Sequence, residues 1–326
     1  MSHPEKKIIV VAGATGTLGK LVCDSLSSRA QGAGQPVLVR GLVRKSGTNA
    51  TAFAPEGTTS DQQLVIEPVD YASDDDLNRV CSGAYAVVSA LQGSDDVLVG
   101  VQSRLFRAAV KNGVRRFIPS DYSFDFTKLP AGSNRNSDTR LDFHAAADRI
   151  AQDTKSLIEF TSVFQGAFTE LLGSGRILLD FAKRRVTYFG SPDTVMEFTT
   201  WKDTAEYTAA VALDPNRTPR KLLIAGLRLT PKQAQQLVAR VTGIDLELKR
   251  MMSVGMLRAV IALVRFFKPG RKDDPMPLWV GMQYAYCMAL GVASPEHLDN
   301  DRYPGLRWTG ADDVIRRAFE AAKTTP

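Results

Sequence analysis

The run Gly13-Ala14-Thr15-Gly16-Thr17-Leu18-Gly19 is the first place where residue type and spacing imply chemistry. It follows an apolar stretch that ends at Ala12 and precedes a helix-like pattern. Glycines there allow a tight turn, a close approach of the backbone to a ligand and close packing of the helix on a sheet. The helix start offers unpaired N–H groups and a positive dipole end to an anion. Thr15 and Thr17 add hydroxyl donors. Such a cradle suits a pyrophosphate, so the Gly13–Gly19 turn is expected to hold a nicotinamide dinucleotide. The spacing is GxxGxxG rather than the GxGxxG of many dehydrogenases, and its weight comes from its place between strand and helix.

The end of the second strand reads Val43-Arg44-Lys45-Ser46, with no acid. NAD sites place an acid there for the ribose 2′-hydroxyl. A cation pair suits a 2′-phosphate instead, because arginine grips phosphate in a two-toothed fork. NADP(H) is therefore the expected cofactor; the competing reading of Arg44 and Lys45 is a solvated basic strand end. Asp70 either accepts from the adenine amino group or caps a turn. Leu91 and Gln92 follow the fourth strand, on the edge where cofactors lie in open α/β sheets. Ser120, Asp121 and Tyr122 leave the fifth strand on that same edge. Tyr122 either donates a proton or packs. The following loop, running to about residue 139, has the length of a lid or binding loop. Arg135 and Arg140 near it either recognise an acidic or phenolic substrate or stay solvated.

These residues need a scaffold. Strand-like runs at Lys7–Ala12, 37–43, 64–68, 84–91, 116–119 and 157–164 alternate with helix-like runs at 18–30, Asp74–Cys81, 97–112 and 140–153. That rhythm predicts an α/β, Rossmann-type, doubly wound parallel sheet. After residue 165 the rhythm loosens. A smaller C-terminal substrate lobe is expected, partly interleaved with the sheet, so the domains are drawn as 1–165 and 166–326. In the lobe, Met251, Met252, Met256, Phe266, Phe267, Trp279, Met282, Tyr284, Tyr286 and Met288 form a core, an adaptable apolar pocket, or in part a face toward a partner subunit.

Bulk properties narrow the class. The net charge of +6 is spread without a run of like charges, which disfavours a nucleic-acid reader. Three scattered cysteines and three histidines cannot assemble a zinc site. Cytoplasmic localisation is expected from unpaired thiols. The apolar stretch Val254–Phe267 is shorter than the roughly 20 residues that span a bilayer, so no membrane partner is expected. The partner is a small-molecule substrate, and the protein a monomer or homodimer.

As a set, GATGTLG, LVRK, FIPSDY (117–122), FTSVFQGAF (160–168) and FTTWKDTA (198–205) resemble the NmrA-like, isoflavone-reductase-like branch of the atypical short-chain dehydrogenases/reductases. The resemblance covers about residues 7–245. It implies a Rossmann domain with a small substrate lobe, a pyrophosphate loop at Gly13 to Leu18, a 2′-phosphate position at Arg44 and Lys45, and Phe164, Gln165 and Gly166 near the nicotinamide. Members are NADPH-dependent reductases of specialised metabolites or catalytically silent NADP sensors. Two motifs depart from expectation. No tyrosine is followed four residues later by lysine, so the ordinary short-chain pair is missing. The branch's lysine, in the helix before the sixth strand, is also missing, and His144 falls at or near its position. Histidine titrates near neutrality and can serve as acid or base; it can equally be a packed, hydrogen-bonded side chain.

The expected function is an NADPH-dependent reductase of a small, partly apolar or aromatic carbonyl, enone or imine, with His144, Tyr122 or Ser120 in the catalytic set. The alternatives are a non-catalytic NADP(H) sensor, or an isomerase or epimerase that uses the nicotinamide transiently.

Overall fold

The computed structural model describes residues 6–33, 36–45, 64–175, 177–271 and 274–324. It divides into two compact units: Met1–Asp121 with Thr139–Val163 and Thr204–Leu222, and Tyr122–Asp138 with Phe164–Asp203 and Leu223–Pro326.

The first unit is built on six strands: β1 (Lys7–Ala12), β2 (Val37–Arg44), β3 (Leu64–Val69), β4 (Ala84–Ser89), β5 (Arg116–Ile118) and β6 (Glu159–Phe160). Their order is β3-β2-β1-β4-β5-β6, and every pairing is parallel. This is the doubly wound Rossmann order, in which the direction of travel reverses between β1 and β4. The helices of this unit are α1 (Thr17–Ala33), α2 (Asp74–Cys81), α3 (Gln102–Lys111) and α4 (Arg135–Asp153). Ile9 to Ala12 are fully buried, as a strand covered on both faces requires. α2 begins where Ser73 Oγ accepts from the Asp76 N–H, with three aspartates against its positive end. Phe106, Phe117, Phe143 and Phe160 meet edge-on, tilted and, for Phe117 with Phe160, stacked, at centroid separations of 5.0–6.4 Å. They lock α3 and α4 onto β5 and β6.

Boundaries shift by a few residues at several elements, and three differences from the sequence reading are the largest. The sixth strand ends at Phe160, and Ser162–Phe164 is a separate strand. The helix expected from residue 97 opens with a π-helical stretch, Asp96–Val101, before α3; apolar periodicity does not distinguish the two windings. α4 begins at Arg135, five residues early, because Asn134 caps it by accepting from the Ser137 N–H.

The second unit holds two three-stranded sheets. In one, Arg185–Phe189 lies between Glu247–Met252 and Leu179–Asp180. In the other, Met196–Thr199 lies between Leu227–Leu229 and Ala167–Phe168. α5 (Trp201–Leu213) follows Met196–Thr199 and from Thr204 onward belongs to the first unit, while α6 (Pro231–Thr242) has a full capping box from Thr230 and Gln233 and stops at left-handed Gly243. α7 (Val254–Phe267), α8 (Leu278–Leu290) and α9 (Ala311–Thr324) complete it. Leu172, Val186, Phe198, Val238 and Ile315 form its main core; Leu257, Ile261, Trp279 and Val280 form a smaller one between α7 and α8. Among the described residues no helix is long and apolar enough to cross a membrane.

Candidate functional site

The glycine turn lies at the reversal point of the sheet. Gly13 has φ +79°, and a Cβ there would lie 2.6 Å from the Ala90 carbonyl oxygen. A Cβ on Gly19 would run into the Gly13 carbonyl. Only glycine therefore lets β1, the exit of β4 and the start of α1 close together. The Gly16 N–H donates to Gly13 O at 3.0 Å and closes the turn. Thr15, Gly16 and Thr17 are exposed, Leu18 is half-buried, and the first turn of α1 carries no acid. The cradle has the shape and polarity that a pyrophosphate needs.

Arg44 ends β2 beside Val69 of β3 and is exposed. Lys45 is equally exposed, but its ammonium lies 2.6 Å from the Asp76 carboxylate. Of the two cations expected at a 2′-phosphate, Arg44 is the less committed. Asp70 spends one oxygen on its own turn, accepting from the Ala72 N–H at 2.8 Å. Tyr71, beside it, is buried. Burial pushes its phenol above the ordinary range, while the Gly13 backbone and Arg44 act the other way. No sequence signal pointed to this tyrosine, since an isolated aromatic after a strand is common.

Leu91 is half-buried, and Gln92 is exposed. Ser120 bridges toward them. Its hydroxyl donates to Leu91 O at 2.7 Å, its N–H donates to Gln102 Oε1 at 3.0 Å, and its carbonyl accepts from Arg140 Nε at 3.1 Å. Ser120 thus ties the exits of β4 and β5 together, with its only hydroxyl proton already used.

The next residue is the centre of a buried polar cluster. Asp121 is fully buried, and its Oδ2 lies 2.6 Å from His144 Nε2 on α4. The same oxygen accepts from Ser162 Oγ at 2.7 Å. Oδ1 is buried with no hydrogen-bond partner among the described residues. The His144 ring meets Phe160 edge-on, with centroids 5.0 Å apart. An ionised carboxylate only accepts hydrogen bonds, so Nε2 carries the hydrogen and the tautomer of a neutral His144 is fixed. Sequence reasoning found His144 but missed Asp121 and Ser162 as its partners. Their contact joins residues up to 41 positions apart, which no local pattern reveals.

The remaining expected residues belong to the second unit. Tyr122 is nearly buried, with 9% of its surface exposed. Phe164 meets Phe126 edge-on at 5.1 Å. Gln165 and Gly166 both donate their backbone N–H to Ser123 O, at 3.0 and 3.2 Å. Gly166 has φ +76°, and a Cβ there would strike the Glu197 carbonyl. Arg135 donates to the carbonyls of Asp274 and Pro275 and lies over the Trp279 ring, so it fastens the segment before α8. That fastening, neither solvation nor contact with a substrate, accounts for it.

The second unit also carries a small, partly open pocket of about 20 Å³, lined by Phe124, Met196, Glu197, Cys287, Met288 and Ser294. Burial pushes the Glu197 carboxyl up, partly offset by hydrogen bonds from Ser294 and Arg228. Burial likewise pushes the Cys287 thiol to about 12, which leaves it un-ionised and unreactive at neutral pH. Of the lobe's expected apolar set, Met288 reaches this cavity, Trp279 is core, and Met251, Met256, Phe266 and Phe267 are exposed. Among the described residues no cluster of metal ligands occurs.

Comparison with known proteins agrees with this fold. The chain is similar to "Oxidoreductase swnN" of Metarhizium robertsii, with 26% identity over 269 residues, 72% of this chain and 74% of that protein. An "NmrA-like family domain-containing oxidoreductase" of Gibberella moniliformis is 26% identical over 71% of this chain and 75% of its own length. Among solved structures, AtPrR2 with NADP+ and (+)pinoresinol superposes with a TM-score of 0.75 at 19% identity, covering 97% of this chain and 99% of that one. An isoflavone reductase gives 0.73 at 19% identity, covering 96% and 99%. At these identities the structures speak for the fold. The profile of the NmrA-like family matches residues 5–264, which takes in the whole glycine turn and the Asp121–His144 pair, and the chain belongs to that family.

Proposed function

We propose that the protein is an NADP(H)-dependent oxidoreductase that reduces a small, partly apolar or aromatic metabolite at a carbonyl, enone or imine. The observation that carries the reading is the combination of a glycine turn at the reversal point of the sheet with a second strand that ends in Arg44 and no acid. The Gly13–Leu18 turn would hold the pyrophosphate, and Arg44, with Lys45 as a weaker partner, the 2′-phosphate. When bound, the nicotinamide supplies the hydride. The chain must orient the substrate and deliver a proton. His144, oriented by Asp121, is the residue best built to do so, and Tyr122 is the second choice. Ser120 is better read as a tie than as a donor. The names of the fungal relatives and the NADP+ bound by AtPrR2 support the same class.

A second reading, a non-catalytic NADP(H) sensor, is favoured by one observation: α4 carries no lysine anywhere along its length. Incubation of the purified protein with NADPH and a panel of aromatic ketones, enones and imines separates the two. The reductase reading expects loss of nicotinamide absorbance with at least one member, and that loss should fall in His144→Ala. Tight NADPH binding without turnover on any member would overturn it in favour of the sensor.

A further inference from the structure

α7 buries only Leu257 and Ile261 fully. At helical spacings of three and four, Met256, Ala259, Leu263, Phe266 and Phe267 share the opposite side. Met256 and Leu263 are each 58% exposed, Phe266 78% and Phe267 73%. Trp279 Nε1–H donates to Pro269 O, which draws the start of α8 to the end of α7, and there Met276 and Leu278 are exposed as well. A run of large exposed apolar side chains of this size marks an interaction surface.

The charge around it says what kind. Between residues 248 and 271 stand Lys249, Arg250, Arg258, Arg265, Lys268 and Arg271, and no acid. The nearest acids in the sequence, Glu247 and Asp273, lie outside that stretch, and Glu247 pairs with Lys249 at 3.5 Å. The net charge of the whole chain is +6. Everything outside this segment therefore cancels, and the chain's excess positive charge is the charge of this one segment. A second copy of the chain paired across a two-fold axis would set these cations against themselves. A nucleic acid would satisfy the cations and leave the phenylalanines, leucine and methionines wet.

We propose that α7, with the ends of its flanking segments, docks in the plane of an anionic lipid surface. The aromatic and aliphatic side chains enter the headgroup–acyl boundary while the lysines and arginines meet the lipid phosphates. An amphipathic helix with a basic flank and exposed phenylalanine and leucine behaves in this way without spanning the bilayer. Juxtaposed basic residues are drawn to the negative leaflet potential. The docking is independent of the reductase reading.

Flotation of the purified full-length protein with phosphatidylcholine vesicles, with or without about 30% phosphatidylserine, tests it. The expected result is co-flotation with the anionic vesicles, about tenfold above pure phosphatidylcholine and weakened by about 0.5 M salt. Phe266→Ser with Phe267→Ser should cut the bound fraction by about tenfold, with an unchanged circular-dichroism spectrum, since both side chains face solvent. Arg258→Glu with Lys268→Glu should erase the preference for phosphatidylserine. This pair tests the proposal even if the serine pair misfolds. No flotation with anionic vesicles overturns the proposal. So does undiminished flotation of the Arg258→Glu, Lys268→Glu protein, or a homodimer in sedimentation equilibrium that the serine pair dissolves while vesicles bind nothing.

Discussion

Replacing Asp121 with asparagine changes one atom's chemistry and almost no volume, and the cluster around it dictates the outcome. In the native protein Oδ2 receives two donors, His144 Nε2–H and the Ser162 hydroxyl, and Oδ1 lies buried without a partner. The asparagine amide has two ways to sit. With its oxygen toward His144, both donors keep an acceptor, but the NH2 group is buried at the site where the native Oδ1 has no partner among the described residues. That costs about 1–3 kcal/mol per orphaned group. With its NH2 toward His144, one N–H donates to Nε2 and the other to Ser162 Oγ, which can accept as readily as donate. The oxygen then occupies the site where the native Oδ1 already lacks a partner. The second arrangement is favoured because the one group it leaves unpaired on residue 121 is an oxygen, as in the native protein, at the cost of redirecting the Ser162 hydroxyl, and it requires Nε2 to surrender its hydrogen to Nδ1. The variant therefore inverts the tautomer of His144.

Nitrogen-15 and carbon-13 chemical shifts of the imidazole rings read this directly, and with only three histidines in the chain assignment is simple. The expected native signal has hydrogen on Nε2, and Asp121→Asn has it on Nδ1. Exchange of charge-assisted for neutral hydrogen bonds should destabilise the fold by about 1–3 kcal/mol. If His144 moves the proton, turnover should fall by about 10²- to 10⁴-fold while NADPH affinity stays within about twofold. Retention of the Nε2–H tautomer in the variant refutes the orientation argument. An inverted tautomer with undiminished turnover keeps the geometry and removes His144 from the chemistry.

Three further outcomes follow from other parts of the first unit. Arg44→Ala should weaken NADPH by about tenfold and leave NADH nearly unchanged, as measured by fluorescence titration, because a single exposed charge-assisted contact is lost; Lys45→Ala should do less, since its ammonium is paired with Asp76. Gly13→Ala forces a left-handed residue, at about 1–2 kcal/mol, and drives a methyl toward Ala90 O; it should lower both melting temperature and NADPH affinity, the latter by about tenfold or more. Burial raises the Glu159 carboxyl, but the Arg116 and Thr218 hydrogen bonds outweigh burial and hold it below the usual glutamate value of 4.5. Its stabilisation is complete above that value and is lost as pH falls through the lower folded value. Urea midpoints between about pH 6 and 3 should show Glu159→Gln losing less on acidification than the native protein.

Local signals carried much of this molecule. β1, α2, α6, α7 and α8 begin and end where apolar period, caps and glycine stops place them. The glycine turn was legible because its requirement is local: a positive φ at Gly13 and a helix start four residues on. Legibility failed where the decisive contact was distant. The short strands at Ala167–Phe168, Leu179–Asp180, Met196–Thr199 and Leu227–Leu229 are too brief to show a period; Leu179–Asp180 pairs locally with Arg185–Val186, and the other three exist because neighbours about 30 residues along the chain pair with them. Arg135 looked available from its loop and is spent on carbonyls some 140 positions away. Ser120 looked like a donor, and only the structure shows its hydroxyl directed at Leu91.

Those same distant contacts separate binding from chemistry. The cradle at Gly13–Gly19 and the cation at Arg44 are set by β1, α1 and β2, and none of them depends on α4. The acid–base candidate rests on α4 and on Asp121, which the short strand β5 delivers and the Phe106–Phe117–Phe143–Phe160 cluster holds in place. The cofactor cradle therefore does not require a lysine on α4, and a histidine there has a defined ring only if something fixes it. Here Asp121 and Ser162 provide that fixing, in a buried site where a carboxylate oxygen without a partner costs stability. On the reading proposed above, the pair serves an imidazole that presents one defined nitrogen, and the tautomer of His144 is the quantity on which that reading stands or falls.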